Sequence, residues 1–299
     1  MPNIDKLNNV AITDMSSVDG HNASAIDSIN GQTLVTASLL LDLYGADITA
    51  AYSVRKLRTA YTGASMRIRR FSDNAEQDIG FDSNGDLDTS AITSFVGAND
   101  ASVVTWYEQS GQVSDWNLTQ GNATRQPRIT DSSGNIFTVN SKPAIDDTNS
   151  GQARLSFNTA FGDAPSAITQ PFHTFSVVQY PSTADRILFE GETADVRISA
   201  YYGGVYRMYA GSSVNTGTNQ TNTQVLVDGS FNDSSSYLFE NNVSQGTSLN
   251  IGTNTMNRLY LMGKSRSLGQ TQEFLIYDAD VTTNRTNIAD NINTYFSIY

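Results

Sequence analysis

The stretch AYSVRKLRTAYTGASMRIRRFSDNAEQDIGF, residues 51–81, dominates the fold that the sequence predicts. In its first part, residues 51–61, three apolar side chains recur close to helical spacing: Tyr52, Leu57 and Tyr61. This spacing, with basic residues between the apolar ones, predicts a helix.

The second part of the stretch has the period of a strand. Met66, Ile68 and Phe71 alternate roughly with arginines, which predicts a half-buried strand. Six cations form a block with no acid inside it: Arg55, Lys56, Arg58, Arg67, Arg69 and Arg70. Because arginine suits bidentate pairing with carboxylates, we expect internal ion pairs with the acids that follow. These acids are Asp73, Glu76, Asp78 and Asp82.

Two later motifs complete a family resemblance. They are Trp106-Tyr107-Glu108-Gln109-Ser110-Gly111 and Asn117-Leu118-Thr119-Gln120. With residues 51–81 they resemble the start of the catalytic domain of arabinofuranosidase B-type glycosidases. The same motif set opens lectin-like domains in phage virion proteins, which the chain resembles more closely. The similarity is concentrated in residues 40–128, and it implies a concanavalin A-like jelly roll. It does not by itself imply catalysis, because one fold hosts many functions.

Composition narrows the classes of partner. The 299 residues are enough for one large β domain, and the net charge of −12 argues against nucleic acid and anionic membranes. There is no cysteine, so disulfides and thiolate chemistry are excluded. We expect no membrane insertion and see no signal peptide at the first residues.

Residues 1–37 carry an eleven-residue repeat. An aliphatic residue precedes a turn dipeptide at Leu7, Val18 and Ile29, and Met15 and Ile26 recur at the same offset. One such unit cannot bury its aliphatic residues alone, so it needs stacked neighbours or another surface. We therefore predict an N-terminal arm for attachment or oligomerisation; a flexible terminus is the alternative.

Residues 38–299 are predicted to form the jelly roll, with a few short helices. Helices are expected at residues 38–44 and 86–96, and a final helix is expected to pack Ile288, Ile292, Tyr295 and Phe296 on the sheet. Strands are expected between them, with a hairpin turn at Asn241-Asn242. The strand order of the second half resembles laminin-G-like domains. The prediction is a mostly β, concanavalin A-like sandwich.

Glycoside hydrolysis needs two carboxyl groups at a set separation. In the resembled glycosidases the proton donor lies just before the last strand, where this chain has Gly263-Lys264-Ser265-Arg266-Ser267 without a carboxylate. The nucleophile run of that family is not found either. Glu190 and Glu192 are the nearby acids, and we interpret them as part of a solvated turn at a strand end. The catalytic pair is therefore expected to be missing.

A partial calcium loop is the second candidate site. Four oxygen ligands stand at alternate positions, namely Asp82, Asn84, Asp86 and Asp88, but the twelfth position is Thr93. The alternative is a turn that leads into the N-terminus of a helix, where acids are favoured. No other cofactor is expected.

The third candidate is glycan binding by an aromatic platform. The residues are Trp116 in a polar loop and the cluster Tyr201, Tyr202, Tyr206 and Tyr209. Aromatic residues on strands also form ordinary core or cross-strand pairs. The two histidines show no catalytic or metal-ligand spacing.

These features lead to the hypothesis of a non-catalytic phage virion protein. It would be a capsid decoration, head-fibre knob or tail-fibre adhesin on the virion surface, anchored by its arm to other capsid or tail proteins. We expect a homo-oligomer, with a trimer favoured, that displays the jelly roll outward, and a host-surface glycan is a candidate partner. The alternative is an arabinofuranosidase-like glycoside hydrolase acting on a polysaccharide.

Overall fold

A computed structural model describes residues 39–111, 116–148, 155–157, 167–180, 186–191, 196–201, 203–262 and 269–299. Before residue 39 it describes the backbone of six two-residue strands. No helix in these ranges is long and apolar enough to cross a membrane.

The first 38 residues contain three antiparallel pairs of short strands. The pairs are β1 (Lys6–Leu7) with β2 (Val10–Ala11), β3 (Ser17–Val18) with β4 (His21–Asn22), and β5 (Ser28–Ile29) with β6 (Gln32–Thr33). Each pair starts eleven residues after the previous one and encloses one predicted turn dipeptide. The repeat is therefore structural, whereas the domain boundary and the arm's role stay predictions. Met15 and Ile26 lie outside the described residues.

The described part of the body has twenty strands and three helices. The strands of its first half are β7 (Ile48–Ser53), β8 (Met66–Arg70), β9 (Glu76–Ile79), β10 (Ala101–Trp106), β11 (Leu118–Thr119), β12 (Arg128–Thr130), β13 (Thr138–Val139), β14 (Lys142–Pro143), β15 (Ile145–Asp146) and β16 (Leu155–Phe157). Those of its second half are β17 (Phe172–Gln179), β18 (Arg186–Glu190), β19 (Arg197–Tyr201), β20 (Val205–Tyr209), β21 (Ser213–Thr216), β22 (Gln224–Phe231), β23 (Ser236–Glu240), β24 (Val243–Leu249), β25 (Tyr260–Leu261) and β26 (Gln270–Tyr277). The helices are α1 (Leu40–Tyr44), α2 (Thr89–Val96) and α3 (Arg285–Phe296).

Eighteen strands pair into one antiparallel system that folds into two layers. The front layer runs in the order β9-β8-β10-β11-β16-β25-β18-β19-β20-β21. In the back layer, β26 pairs with β7 and β15 on one side and with β17 on the other, and β22, β23 and β24 follow. Strand β12 links the layers because it pairs with both β10 and β15.

The core lies between the layers. Phe189 on the front layer contacts the rings of Phe231 and Phe274 on the back layer, with centroids 5.9 Å and 5.3 Å away. At Gly229 the layers pack tightly, since a Cβ there would lie 2.7 Å from Cδ1 of Ile198. Ile198 and Phe189 therefore point inward, and their immediate neighbours along each strand point outward.

The predicted sandwich is confirmed, and so are several local predictions. Helices form where expected at α1, α2 and α3, and α3 buries Ile288, Ile292 and Phe296. Asn241 and Asn242 both have positive φ, 50° and 63°, as a two-residue hairpin of the predicted kind requires.

The predicted helix over residues 51–61 is wrong. Its start belongs to β7, where Tyr52 pairs opposite Phe274 of β26. Residues 50–53 are all buried, so both faces of this strand are covered. The spacing of Tyr52, Leu57 and Tyr61 thus reflects general burial and not one face of a helix.

Candidate active site

The motif at residues 106–111, which contributes to the family resemblance, connects the end of β10 to β7 through hydrogen bonds. The Glu108 carboxylate accepts hydrogen bonds from the backbone N–H groups of Ala51, Ser110 and Gly111. Burial raises the pKa of Glu108. Because its oxygens are committed to the backbone that joins β10 to β7, Glu108 serves the fold.

Gln109 makes the same connection beside it. Its side-chain amide donates to the carbonyls of Ser53 and Arg55, at 3.0 Å and 3.2 Å, and its oxygen accepts from the Leu57 N–H. These bonds fix the residues after β7, which lie in the stretch that dominates the sequence prediction.

Three cations of the block form ion pairs with described acids, two of them with predicted ones. Arg67 binds Asp78 through two hydrogen bonds of 2.8 Å and 2.9 Å, and Arg70 binds Asp73. Arg55 departs from the prediction, since it binds the distant Glu273 with its Nε 2.8 Å from Oε2.

The carboxylates of the partial calcium loop bind different partners and do not converge on one point. Asp82 accepts from the N–H groups of its own turn, at Asn84 and Asp86. The Asp86 side chain binds Lys142 at 3.2 Å and accepts from the Tyr295 hydroxyl, while Asp88 caps α2 at the N–H of Ala91. No cluster of three or more His, Cys, Asp or Glu side chains suited to a metal occurs in the described ranges. The geometry therefore favours the alternative of a turn and a helix cap.

The predicted aromatic platform is divided between the two faces of the front layer. Tyr206 is fully buried in the core and donates a hydrogen bond to Glu240. Burial is the largest cause that raises the pKa of Tyr206 well above the usual value, and Glu240 adds to it. Trp116 is buried as well. Tyr201 and Tyr209 point outward and are half-buried, and Tyr202 lies outside the described residues. Tyr206 and Trp116 thus cannot belong to an exposed platform.

An aligned row of polar residues crosses the outer face of the front layer. Residues directly opposite each other on paired strands share a face. From β20 to β11 the row is Tyr209, Arg197, Glu190, Tyr260, Ser156 and Thr119. Glu190 is the carboxylate of this row, and it follows the inward-pointing Phe189, so it faces outward.

Glu190 is buried although it faces away from the core. Its exposed fraction is 3%, and it is the last residue of β18. This placement corrects the interpretation of Glu190 as part of a solvated turn. Glu192 and the segment Gly263-Lys264-Ser265-Arg266-Ser267 lie outside the described residues.

A tyrosine and an arginine stand opposite Glu190 on the two neighbouring strands. Tyr260 stands opposite Glu190, and the Arg258 guanidinium lies 3.4 Å from its hydroxyl. Arg197 stands opposite Glu190 on the other side and is placed over the Tyr209 ring, 5.5 Å from its centroid. Glu190 is thus a buried carboxylate with an arginine and a tyrosine opposite it on the two neighbouring strands, and such a carboxylate is a candidate for a functional site.

A second carboxyl group lies near the end of the segment that follows β25. Asp147 is 1% exposed, and its Oδ1 accepts from the Gly269 N–H at 2.5 Å. Its own N–H donates to the Gly269 carbonyl at 2.9 Å. Asp147 therefore borders the segment for which the resemblance implies the proton donor.

The sequence contains a signal for the burial of Glu190. The run Ile187-Leu188-Phe189 predicts a buried strand, and a carboxylate at the end of such a strand is more constrained than one in a turn. What the sequence does not contain is the pairing with β19 and β25, which places Arg197 and Tyr260 on either side of Glu190.

Comparison with known proteins finds similarity to arabinofuranosidases in part of the sequence and in the fold. Residues 41–151 match the family model of the alpha-L-arabinofuranosidase B catalytic domain. A search of the curated proteins gives no match.

Solved structures of arabinofuranosidases share the fold. A GH54 α-L-arabinofuranosidase soaked with a cyclic sulfate inhibitor has a TM-score of 0.59 at 18% identity. An arabinofuranosidase in complex with arabinofuranosyl-α-1,2-xylobiose has a TM-score of 0.54 at 18% identity. In both cases the match covers 84% of this chain and 64% of the other, so this chain spans less than two thirds of those proteins.

These findings overturn the hypothesis of a non-catalytic virion protein. The family model and the similar structures are those of glycoside hydrolases, and they favour the alternative given with that hypothesis. The hypothesis depended on the absence of a catalytic carboxylate, and in it Glu190 was interpreted as a solvent-exposed residue, whereas the structure buries it. The chain is similar to the arabinofuranosidase B catalytic domain over residues 41–151 and has the GH54 β-sandwich fold.

Proposed function

We propose that the protein is a glycoside hydrolase that releases α-L-arabinofuranosyl residues from a polysaccharide, with Glu190 as a catalytic carboxylate. The observation that carries the proposal is the position of Glu190, buried on the outer face of the front layer between Arg197 and Tyr260. The match of residues 41–151 to the arabinofuranosidase model supports the substrate class. So does a similar structure, a Glu-to-Gln arabinofuranosidase mutant soaked with 4-nitrophenyl α-L-arabinofuranoside.

The chemistry assigned to Glu190 follows from its surroundings. Glycoside hydrolysis proceeds through a transition state with positive charge on the sugar ring, which a nearby carboxylate stabilises. Burial removes water from Glu190 and strengthens this attraction. Glu190 then either attacks the sugar carbon or activates a water molecule, while a second carboxyl group protonates the departing oxygen.

The candidates for the second carboxyl group are Asp147 and Glu192. Asp147 is held against Gly269, next to the segment where the resemblance implies the proton donor. Glu192 follows Glu190 by two residues in the sequence. In hydrolases of this kind, a separation of about 5 Å between the carboxyl groups accompanies retention of configuration, and about 6.5–9.5 Å accompanies inversion.

The test is hydrolysis of 4-nitrophenyl α-L-arabinofuranoside by the full chain and by the Glu190→Gln variant. The substitution keeps size and removes charge, and we expect the turnover rate to fall by about 10²- to 10⁴-fold. Glu76→Gln on β9 is the matched control, since Glu76 is exposed and far along the same layer, and it should keep full activity. Thermal unfolding of both variants checks that each is folded.

Two further measurements distinguish a nucleophile from a general base at Glu190 and identify the proton donor. If Glu190 attacks the sugar, azide should restore turnover to Glu190→Ala and give a glycosyl azide. Asp147→Asn and Glu192→Gln identify the proton donor, because its loss should harm substrates with poor leaving groups most. Full activity of a folded Glu190→Gln variant, or no hydrolysis of any arabinofuranoside by the native chain, would overturn the proposal.

A further inference from the structure

Two arginine–tyrosine pairs stand side by side on the outer face of β19 and β20. The Arg207 guanidinium lies 3.3 Å from the centroid of the Tyr201 ring, and Arg197 lies 5.5 Å from that of Tyr209. Nε of Arg207 also donates to Asn215 on β21 at 2.9 Å. These contacts hold both guanidiniums beside tyrosine rings on the face that carries Glu190.

Neither guanidinium forms an ion pair with an acid in the described part of the chain. Ion pairs of the described residues join other arginines to carboxylates: Arg55 to Glu273, Arg67 to Asp78, Arg70 to Asp73, Arg128 to Asp100 and Arg285 to Asp228. No ion pair of Arg197 or Arg207 with a described acid exists, although the chain has 30 acidic and 18 basic residues. Arg197 even stands opposite Glu190 without pairing with it, and contacts Tyr209 instead.

Unsatisfied polar atoms lie at the same place. Ser199 is directly opposite Arg207 and is 1% exposed, and its Oγ has no hydrogen-bond partner among the described residues. Nε of Arg197 is buried and unpartnered in the same sense. Buried polar groups in native proteins are usually hydrogen-bonded, so this cluster retains capacity for a polar ligand.

The chemistry of these groups selects a carboxylate on a sugar. A guanidinium offers a planar fork of donors that matches a carboxylate in two parallel hydrogen bonds. Tyrosine rings beside the fork give apolar surface for a sugar ring, and Glu190 lies on the next strand for the bond to be cleaved. We propose that the outer face of β19 and β20 is a subsite for a uronic acid residue, so that the substrate is an acidic glycan.

The overall charge of −12 does not oppose this subsite. At physiological ionic strength, charges more than about 8 Å apart are largely screened. A carboxylate bound here meets two guanidiniums at contact distance, and these determine its local energy.

The test compares one oligosaccharide with its own neutral form. The probe is an arabinose-bearing xylo-oligosaccharide with one glucuronic acid residue, and the reference is the same compound with the carboxyl group reduced to an alcohol. Calorimetry with the full native chain should show the acid bound roughly 10- to 100-fold more tightly, the range for a charge-assisted hydrogen bond. In Arg197→Gln and Arg207→Gln this ratio should fall toward one.

Arg67→Gln is the matched control because it removes a front-layer arginine that already has an acid partner. It should keep the full ratio. A ratio near one in the native chain, or a ratio that survives both substitutions, would overturn the inference. Equal affinity for a sulfated analogue would also overturn it, because it would show a general anion site.

The inference rests on the proposed function only in taking the ligand to be a sugar chain that reaches Glu190. Failure of the subsite inference can be distinguished from failure of the proposed activity, because calorimetry measures binding and requires no turnover. Hydrolysis that depends on Glu190 with no preference for the acid would refute the subsite alone. Preference for the acid without hydrolysis would refute the proposed activity alone.

Discussion

The outer face of the back layer next to α3 and the outer face of β19 and β20 differ in how their charges are paired. On the back layer, Glu273 accepts from Arg55 at 2.8 Å and 3.0 Å and from the Ser53 hydroxyl at 2.6 Å. Asp228 binds His173 at 3.1 Å and Arg285 at 3.0 Å. These groups are buried next to α3, to which Arg285 belongs.

On the front layer, Arg197 and Arg207 contact tyrosines and have no acid partner among the described residues. The difference shows that the role of an arginine in this protein depends on whether an acid pairs with it. Paired charges next to α3 attach the helix to the sheet. Arg197 and Arg207, on the face of Glu190, have no acid partner among the described residues, and this is why they carry the proposed subsite. The same substitution of arginine should therefore have different effects on the two faces.

The largest effect on stability is expected on the back layer. Arg55→Gln leaves the fully buried Glu273 without its cation, and such a loss costs about 3–5 kcal/mol. Urea unfolding followed by circular dichroism measures this. The double variant Arg55→Met with Glu273→Leu should recover most of the stability, because it removes the stranded charge. A loss below 1 kcal/mol in Arg55→Gln would break the comparison.

The contact between the layers comes next. In Gly229→Ala the new methyl group would lie 2.7 Å from Cδ1 of Ile198, so overpacking should cost about 1–3 kcal/mol. Adding Ile198→Val removes the clashing atom and should restore part of the loss. If the double variant is no more stable than Gly229→Ala, the cost of that substitution does not come from a clash with Ile198.

A smaller effect is expected for the front-layer arginines. Arg197→Gln loses a stacking contact with Tyr209 and no ion pair, so stability should fall by about 1 kcal/mol or less. The urea experiment used for Arg55→Gln allows direct comparison. A cost equal to that of Arg55→Gln would show that Arg197 is part of the fold and would remove the distinction between the faces.

The smallest effect concerns the exposed pair of Arg67 and Asp78. The hydrogen bond from Arg67 is the largest cause that lowers the pKa of Asp78. The stabilisation is therefore present above the unfolded pKa, about 3.9, and is lost as the pH falls through the folded value. Asp78→Asn should cost less than about 1 kcal/mol at pH 7 and nothing in strong acid. A difference that grows as the pH falls would contradict this sign.

Much of the fold was predictable where local chemistry agrees with the tertiary structure. The alternation of Met66 and Ile68 with arginines predicts β8, and the spacing of Ile288 and Ile292 predicts the buried stripe of α3. The helix predicted over residues 51–61 was wrong because β7 is buried on both faces, so its sequence lacks the alternation that identifies a strand.

The candidate site was less predictable because its parts are joined by strand pairing. Alternation does separate Tyr206 from Tyr209, since an odd number of residues apart on one strand means opposite faces. No local pattern places Glu190 of β18 beside Tyr260 of β25, which is 70 residues later in the sequence. The chemistry of the site was therefore underestimated, while the class of fold was predicted correctly.

The bonds of Glu108 and Gln109 to the backbone around β7 have a consequence for recognising relatives of this protein. These two residues lie inside the stretch that matches the arabinofuranosidase model, whereas Glu190, Arg197 and Arg207 lie beyond its end. The recognisable signature therefore reports how residues 41–151 fold. A protein that keeps this signature need not keep the same groups on β18, β19 and β20, so the signature alone does not identify a ligand.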